Sequence, residues 1–96
     1  GPETIASMRI TIDLPDYDPS KGLQYKWETG FSIHVSVDEE GVTIQGNNAG
    51  LRSLANHLLT LANEEVPMSS HIHLDSDNGL EDGSYALLIT QELELP

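Results

Sequence analysis

The stretch that decides the fold of this 96-residue chain is residues 46–63, GNNAGLRSLANHLLTLAN. Apolar residues recur in it at spacings of three and four, which is typical of an amphipathic helix. Gly46-Asn47-Asn48 can cap such a helix, because an asparagine side chain accepts hydrogen bonds from the free N–H groups of the first turn. We therefore predict a helix from about Ala49 to Asn63, and Pro67 prevents it from continuing because a proline cannot donate to a helical ladder.

The predicted core-facing side of this helix is a stripe of leucines and alanines. Its members are Leu51, Leu54, Ala55, Leu58, Leu61 and Ala62, with Leu59 at the edge, and the opposite arc holds Arg52, Ser53, Asn56, Thr60 and Asn63. If the stripe packs on a sheet, Leu58→Ala leaves a cavity that costs about 2 to 5 kcal/mol. His57 lies beside the stripe, where we expect a polar residue at the boundary of the core.

Alternation of apolar and polar residues predicts about five strands around this helix. Asp38-Glu39-Glu40-Gly41 predicts a hairpin turn between two of them, because Gly41 can adopt the positive φ that the turn requires. The prediction is an α+β fold with two layers, a mostly antiparallel sheet of about five strands and one main helix, in the order β-β-β-α-β-β. The predicted strands are residues 8–14, 31–37, 42–45, 71–75 and 84–91.

Length and composition limit the organisation of the chain. A chain of 96 residues fits one compact domain. Gly1-Pro2 resembles the pair left by a tag-cleaving protease and Met8 resembles a natural start, so we expect residues 1–7 to be a tag remnant and residues 8–96 to be the domain. The sequence has no cysteine, no secretory signal pattern and no membrane-length apolar run, which excludes disulfide scaffolds and favours a cytoplasmic protein.

The charge balance is strongly acidic. Sixteen Asp and Glu against four Lys and Arg give a formal net charge of -12, and residues 53–96 contain eight acids and no Lys or Arg. Such a surface disfavours nucleic acid or an acidic membrane as a partner and favours a basic protein. Turns project from a fold, so the acids at predicted turns are the candidate contacts, namely Asp38, Glu39, Glu40, Asp75, Asp77, Glu81 and Asp82. Solubility is the competing explanation of the charge.

Two further groups of residues are candidates for chemistry or binding. Tyr17, Tyr25 and Trp27 lie in the predicted loop 15–30, either as lids on the open sheet face or as binding anchors, since Tyr and Trp dominate interface hot spots. His71, His73 and Asp75 share one face of a predicted strand, and two histidines with one carboxylate can bind Zn or Fe(II). The other interpretation of these histidines is a structural or interfacial role.

A family resemblance rests on the order and spacing of several segments within residues 46–90. They are Leu54-Ala55-Asn56-His57-Leu58-Leu59, Val66-Pro67, Ser70-His71-Ile72-His73-Leu74-Asp75, and Leu80-Glu81 with Gly83-Ser84. This pattern resembles bacterial polymorphic-toxin immunity proteins. The resemblance implies a small cytosolic protein that binds and neutralises a cognate toxin.

Two hypotheses about function follow. In the first, a non-enzymatic inhibitor without a cofactor, the acidic turns and loop aromatics dock on a basic toxin domain and block its active site or substrate-binding surface. A nuclease is favoured as the toxin, because enzymes that bind phosphates are basic. In the alternative, a small metal-binding hydrolase or metal-binding module, His71, His73 and Asp75 hold the ion.

Overall fold

The computed structural model describes residues 7–14 and 17–92 of the chain, so residues 1–6 of the predicted tag remnant lie outside the described residues. Within those ranges the fold is α+β, with one helix and four strands. The strands pair as two antiparallel sheets of two, β1 with β2 and β3 with β4. The elements are β1 (Ile33–Asp38), β2 (Gly41–Gly46), α1 (Asn48–Leu61), β3 (His71–Leu74) and β4 (Leu87–Thr90).

The prediction of a single five-stranded sheet is therefore wrong, chiefly because residues 8–14 form no strand. Alternating side chains are only half of what a strand needs, since its N–H and C=O groups must also pair with a neighbouring strand edge. Residues 10–13 instead line a shallow groove with Arg52, Ala55 and Asn56 of α1, where there is no strand edge to pair with. Met8 and Ile10 consequently remain exposed.

The last predicted strand, 84–91, is shortened to β4 because the chain just before it bonds to β1. The Glu81 and Tyr85 N–H groups donate to the Ile33 and Val35 carbonyls, both at 2.9 Å. The Val35 N–H donates to the Ser84 hydroxyl at 3.1 Å. Residues 81–85 thus occupy the edge of β1 opposite β2, and they join the two small sheets into one structure.

The hairpin between β1 and β2 confirms the predicted turn. The Asp38 carboxylate accepts a hydrogen bond from the Glu40 N–H at 2.8 Å, which closes the turn locally. Gly41 has a φ of 129°, a conformation that side-chain-bearing residues rarely adopt. Six residue pairs follow in register, from Asp38 with Gly41 to Ile33 with Gly46.

Helix α1 begins and ends within two residues of the predicted bounds, Ala49 and Asn63. The Asn47 carboxamide oxygen accepts from the Gly50 N–H at 2.7 Å and from the Ser32 N–H at 3.0 Å, so it caps the helix and ties it to the start of β1. The last helical residue is Leu61, well before Pro67. A turn at Asn63, whose side chain accepts from the Glu65 N–H at 2.9 Å, redirects the chain before the proline can act.

The helix is rotated relative to the predicted stripe. Leu54 and Leu61 are buried as predicted, but Leu51, Leu58 and Leu59 are 47%, 42% and 46% exposed. The arc facing the sheets is instead Gly50, Ser53, Leu54, His57, Thr60 and Leu61.

Close backbone packing explains this rotation. A Cβ atom on Gly50 would collide with the Ser32 carbonyl oxygen, so the glycine lets α1 approach β1 more closely than any other residue could. The Ser53 and Thr60 hydroxyls donate to the Ala49 and Asn56 carbonyls at 2.8 Å, which satisfies them inside the core. A polar arc with small members therefore packs more tightly than the leucine stripe would.

The core lies between α1 and the inner faces of the two sheets. Its buried apolar residues are Ile33, Val35, Leu54, Leu61, Ile72, Leu74 and Leu80, with Leu23, Tyr25, Trp27, Leu87 and Ile89 packed around them. In the part of the chain that the structure describes, no helix is both long and apolar enough to cross a membrane.

Candidate functional site

Strand β3 places its two histidines on an exposed face, as the alternation predicted. Ile72 and Leu74 point into the core, whereas His71 and His73 point to solvent. The His73 Nε2 atom lies 4.0 Å from a carboxylate oxygen of Asp75. Among residues 7–14 and 17–92, however, no three His, Cys, Asp or Glu side chains converge closely enough to hold a metal ion. Neighbouring side chains on one strand face stand about 6.5 to 7 Å apart, so His71, His73 and Asp75 would have to lean together to share an ion, and the metal-binding alternative stays a prediction.

The aromatic segment before β1 packs inward around His57. The indole ring of Trp27 stacks on Phe31 with ring centroids 4.3 Å apart, and it meets the His57 ring edge-on at 4.4 Å. Tyr25 also meets the His57 ring edge-on, with ring centroids 4.9 Å apart. A Cβ atom on Gly79 would collide with the indole of Trp27, so this glycine leaves the space that the ring fills. The predicted boundary position of His57 is wrong, since the residue is only 1% exposed.

Two polar atoms in this aromatic cluster are buried without a hydrogen-bond partner among the described residues. They are the hydroxyl of Tyr25 and Nε2 of His57. Burial lowers the pKa of His57 and raises the pKa of Tyr25, because in both cases the uncharged form is easier to desolvate. The cluster therefore favours neutral side chains.

A groove of about 260 Å³ runs along β3 beside these rings. It is lined by Tyr25, Trp27, His71, Ile72, His73, Leu74 and Asn78. Tyr25 and Trp27 thus pack against the core and also border this groove, and their role as binding anchors stays a prediction. Tyr17 lies apart from them, at a much narrower cleft beside Thr60 and Val66.

The first acidic cluster is the β1–β2 turn. Asp38, Glu39 and Glu40 are all exposed there, as the hairpin prediction requires. Asp38 uses one carboxylate oxygen to accept from the Glu40 N–H, whereas the two glutamates make no ion pair with a described residue.

The second acidic cluster surrounds the turn after β3. Asp75 accepts from the Asp77 N–H at 3.0 Å and is partly buried, whereas Asp77, Glu81 and Asp82 are exposed. Because Glu81 is bonded to Ile33 at the start of β1, the two clusters lie near opposite ends of that strand. Five residue steps of strand separate them by about 17 Å.

Cations do little to neutralise this surface, since the chain has only four Lys and Arg. One of them, Arg52, is paired with Glu28, and its Nε lies 2.9 Å from a carboxylate oxygen. The hydrogen bonds from Arg52 lower the pKa of Glu28, because they stabilise the ionised carboxylate. This guanidinium is therefore bound to an acid that belongs to neither acidic cluster.

Comparison with known proteins locates the chain in a family. The family model described as Immunity protein 32 matches residues 41–92, from the start of β2 to just beyond β4. The chain belongs to the Immunity protein 32 family. A search of curated proteins found no match, and a search of solved structures found none either.

Membership of the Immunity protein 32 family confirms the resemblance seen in the sequence and implies a cognate toxin as the partner. The matched region includes β2, α1, β3 and β4, together with the acids of the second cluster. Sequence reasoning missed the inward arc of α1, although Gly50, Ser53, His57 and Thr60 recur at spacings of three and four and could have indicated it.

Proposed function

We propose that this Immunity protein 32 family member binds a cognate bacterial toxin in the cytoplasm and neutralises it by covering its active site or substrate-binding surface. We propose further that the toxin is basic, with a nuclease as the favoured class. The observation that carries this proposal is the acidic surface, with a formal net charge of -12 and exposed carboxylates on projecting turns.

The argument from charge is one of complementarity. A nuclease must attract phosphates, so its substrate-binding surface is positively charged. Exposed carboxylates that are not engaged in internal ion pairs remain available to such a surface, and they speed its encounter with the inhibitor. Two groups of carboxylates meet this condition, namely Asp38, Glu39 and Glu40 of the first cluster and Asp77, Glu81 and Asp82 of the second. Asp75 contributes less direct contact, because it is partly buried and holds its own turn.

Neutralisation by binding requires a complementary surface and no catalytic geometry, so we propose a non-enzymatic role without a cofactor. The loop aromatics have a secondary part in this proposal. Tyr25 and Trp27 border the groove along β3 and can contact the toxin there, and Tyr17 presents a smaller surface beside α1.

The test uses the toxin domain encoded by the neighbouring gene, prepared as a catalytically inactive variant for binding and as the active domain for inhibition. The expected results are a stable complex by calorimetry and loss of toxin activity at equimolar immunity protein. Absence of both would contradict the proposed function.

A charge-matched pair of variants tests the role of the acidic turn. Asp38→Asn, Glu39→Gln and Glu40→Gln together should slow association about tenfold or more, because steering can raise on-rates by factors of about 10 to 1,000. The control removes three exposed acids elsewhere, with Glu64→Gln, Glu65→Gln and Glu92→Gln. Since both variants change the net charge equally, equal slowing in the two would show that only the total charge matters.

A further inference from the structure

The inner face of the β1–β2 hairpin changes from buried to exposed along its length. Ile33 and Val35 are 0% and 1% exposed, whereas Val37 is 47% exposed on the same face of the same strand. The register pairs Val35 with Ile44 and Val37 with Val42. Paired residues of antiparallel strands share a face, so Ile44 and Val42, 40% and 63% exposed, continue this apolar surface.

The reason is that α1 covers only the near half of the hairpin. The helix meets the sheet where Gly50 lies against Ser32 and Ile33, and where Leu51 lies over Gly46 at the end of β2. Beyond Gly46, the same face of β2 continues to Ile44 and Val42, which are far more exposed than Ile33 and Val35. We call Val37, Val42, Ile44 and Leu51 the hairpin patch.

Exposed apolar residues on an edge strand are costly unless something covers them. Each Å² of apolar surface that stays exposed loses about 25 cal/mol of the free energy that burial would provide. An unpaired strand edge also favours aggregation. In the structure β2 pairs only with β1 among the described residues, so its outer edge is free as well. A surface of this kind marks an interaction site when polar residues surround it.

We propose that the hairpin patch is the apolar centre of the contact with the basic toxin, and that Asp38, Glu39 and Glu40 form its charged rim. This inference rests on the proposed function and adds the face on which the toxin docks. An apolar centre with a polar rim is the usual anatomy of a protein–protein interface. The three rim carboxylates lie in the turn between Val37 and Val42, and they match a positively charged partner.

Charge also decides between the toxin and a second copy of this chain as the occupant. Pairing two copies through β2 would bring two turns of three carboxylates, on chains of formal net charge -12, towards each other. That arrangement is repulsive, whereas a basic partner gains attraction from the same groups. A homodimer through the free edge is therefore the competing outcome that the experiment must detect.

The experiment measures the dissociation constant for the inactive toxin domain of the neighbouring gene, using the 96-residue chain with single serine substitutions. Val42→Ser and Ile44→Ser should each weaken binding about tenfold or more, as expected for residues at the centre of an interface. Leu88→Ser is the matched control, because Leu88 lies on the outer face of β4 and is 61% exposed, close to the 63% of Val42. The control should stay within about twofold of the unsubstituted protein, as expected outside the energetic centre.

The possible outcomes test the docking face and the proposed function separately. If the unsubstituted protein binds and both hairpin variants bind as tightly as Leu88→Ser, the docking face is wrong and the proposed function stands. If the unsubstituted protein does not bind the toxin, both proposals fail. Sedimentation of the protein alone completes the test, because a dimer that Val42→Ser dissociates would show that a second copy covers the patch. Thermal unfolding of each variant verifies that a loss of binding is not a loss of folding.

Discussion

His57 shows how burial sets the preferred charge state of a single side chain. Its ring projects from the inward arc of α1 and packs edge-on against Tyr25 and Trp27, and Nε2 has no partner among the described residues. An unpaired buried nitrogen costs free energy, and protonation would add a buried charge to that cost. The folded state therefore prefers the neutral imidazole.

This preference predicts an acid-sensitive fold. Burial lowers the pKa of His57 in the folded state below its ordinary value of about 6.5, so the unfolded chain binds the proton first as pH falls. The stability that the neutral ring contributes is complete above about pH 6.5 and is lost as pH falls from there through the lower folded pKa. Urea unfolding between about pH 8 and pH 5 should show this loss in the unsubstituted protein.

Two variants isolate the contribution of this residue to the pH dependence of stability. His57→Phe should have a flatter pH profile than the unsubstituted protein, because the buried titrating group is gone. His71→Phe replaces an exposed histidine of β3 and serves as the matched control. Parallel profiles for the unsubstituted protein and His57→Phe would contradict the assignment.

At the scale of elements, the orientation of α1 determines which leucines stabilise the fold. Leu54 is 8% exposed and belongs to the core, so Leu54→Ala should cost about 2 to 5 kcal/mol in unfolding free energy. Leu58 is partly solvated, so the cost of Leu58→Ala should fall to about 1 kcal/mol or less instead of the value expected from the leucine stripe. Denaturant unfolding of the two variants measures both costs. A larger loss of unfolding free energy for Leu58→Ala than for Leu54→Ala would contradict the orientation of α1.

Local patterns in the sequence predicted the elements whose structure depends on neighbouring residues. The Asp38 turn, the Asn47 cap and the inward alternation of Ile72 and Leu74 all rest on such short-range chemistry, and the structure confirms each. The helix orientation and residues 8–14 depend instead on distant partners. Periodicity marks apolar residues, but it could not reveal that Gly50 and Ser53 allow the closer approach.

The candidate site divides in the same way. The acids of Asp38 to Glu40 were placed on a projecting turn by sequence alone, and the structure confirms that position. Their part in toxin binding stays a prediction. The exposure of Val37, Val42 and Ile44 could not be read from the chain, because alternation assigns them to the same face as the buried Ile33 and Val35. Only the length of hairpin that α1 covers separates the two groups.

At the scale of the whole molecule, the charge should govern how fast the partner is found. Screening shortens the reach of exposed charges to about 8 Å at 0.15 M salt and about 3 Å at 1 M. Association with the toxin should therefore slow markedly as NaCl rises from about 0.05 to 0.5 M, while dissociation changes less, because steering acts on the encounter. Stopped-flow mixing measures both rates. An association rate that does not change with salt would mean that the acidic surface serves solubility and does not steer the toxin.

β1 lies outside the region that the family model matches, yet it is part of the core. The family match begins at Gly41, inside the hairpin, yet Ile33 and Val35 just before it are among the most deeply buried side chains. β1 also bonds on one edge to β2 and on the other to residues 81–85. Cutting the peptide bond between Glu39 and Glu40 would thus separate a recognisable segment from the strand that completes it. We expect the two pieces to behave as the halves of a split protein. Neither piece has a complete core, and they should fold again when they reassociate.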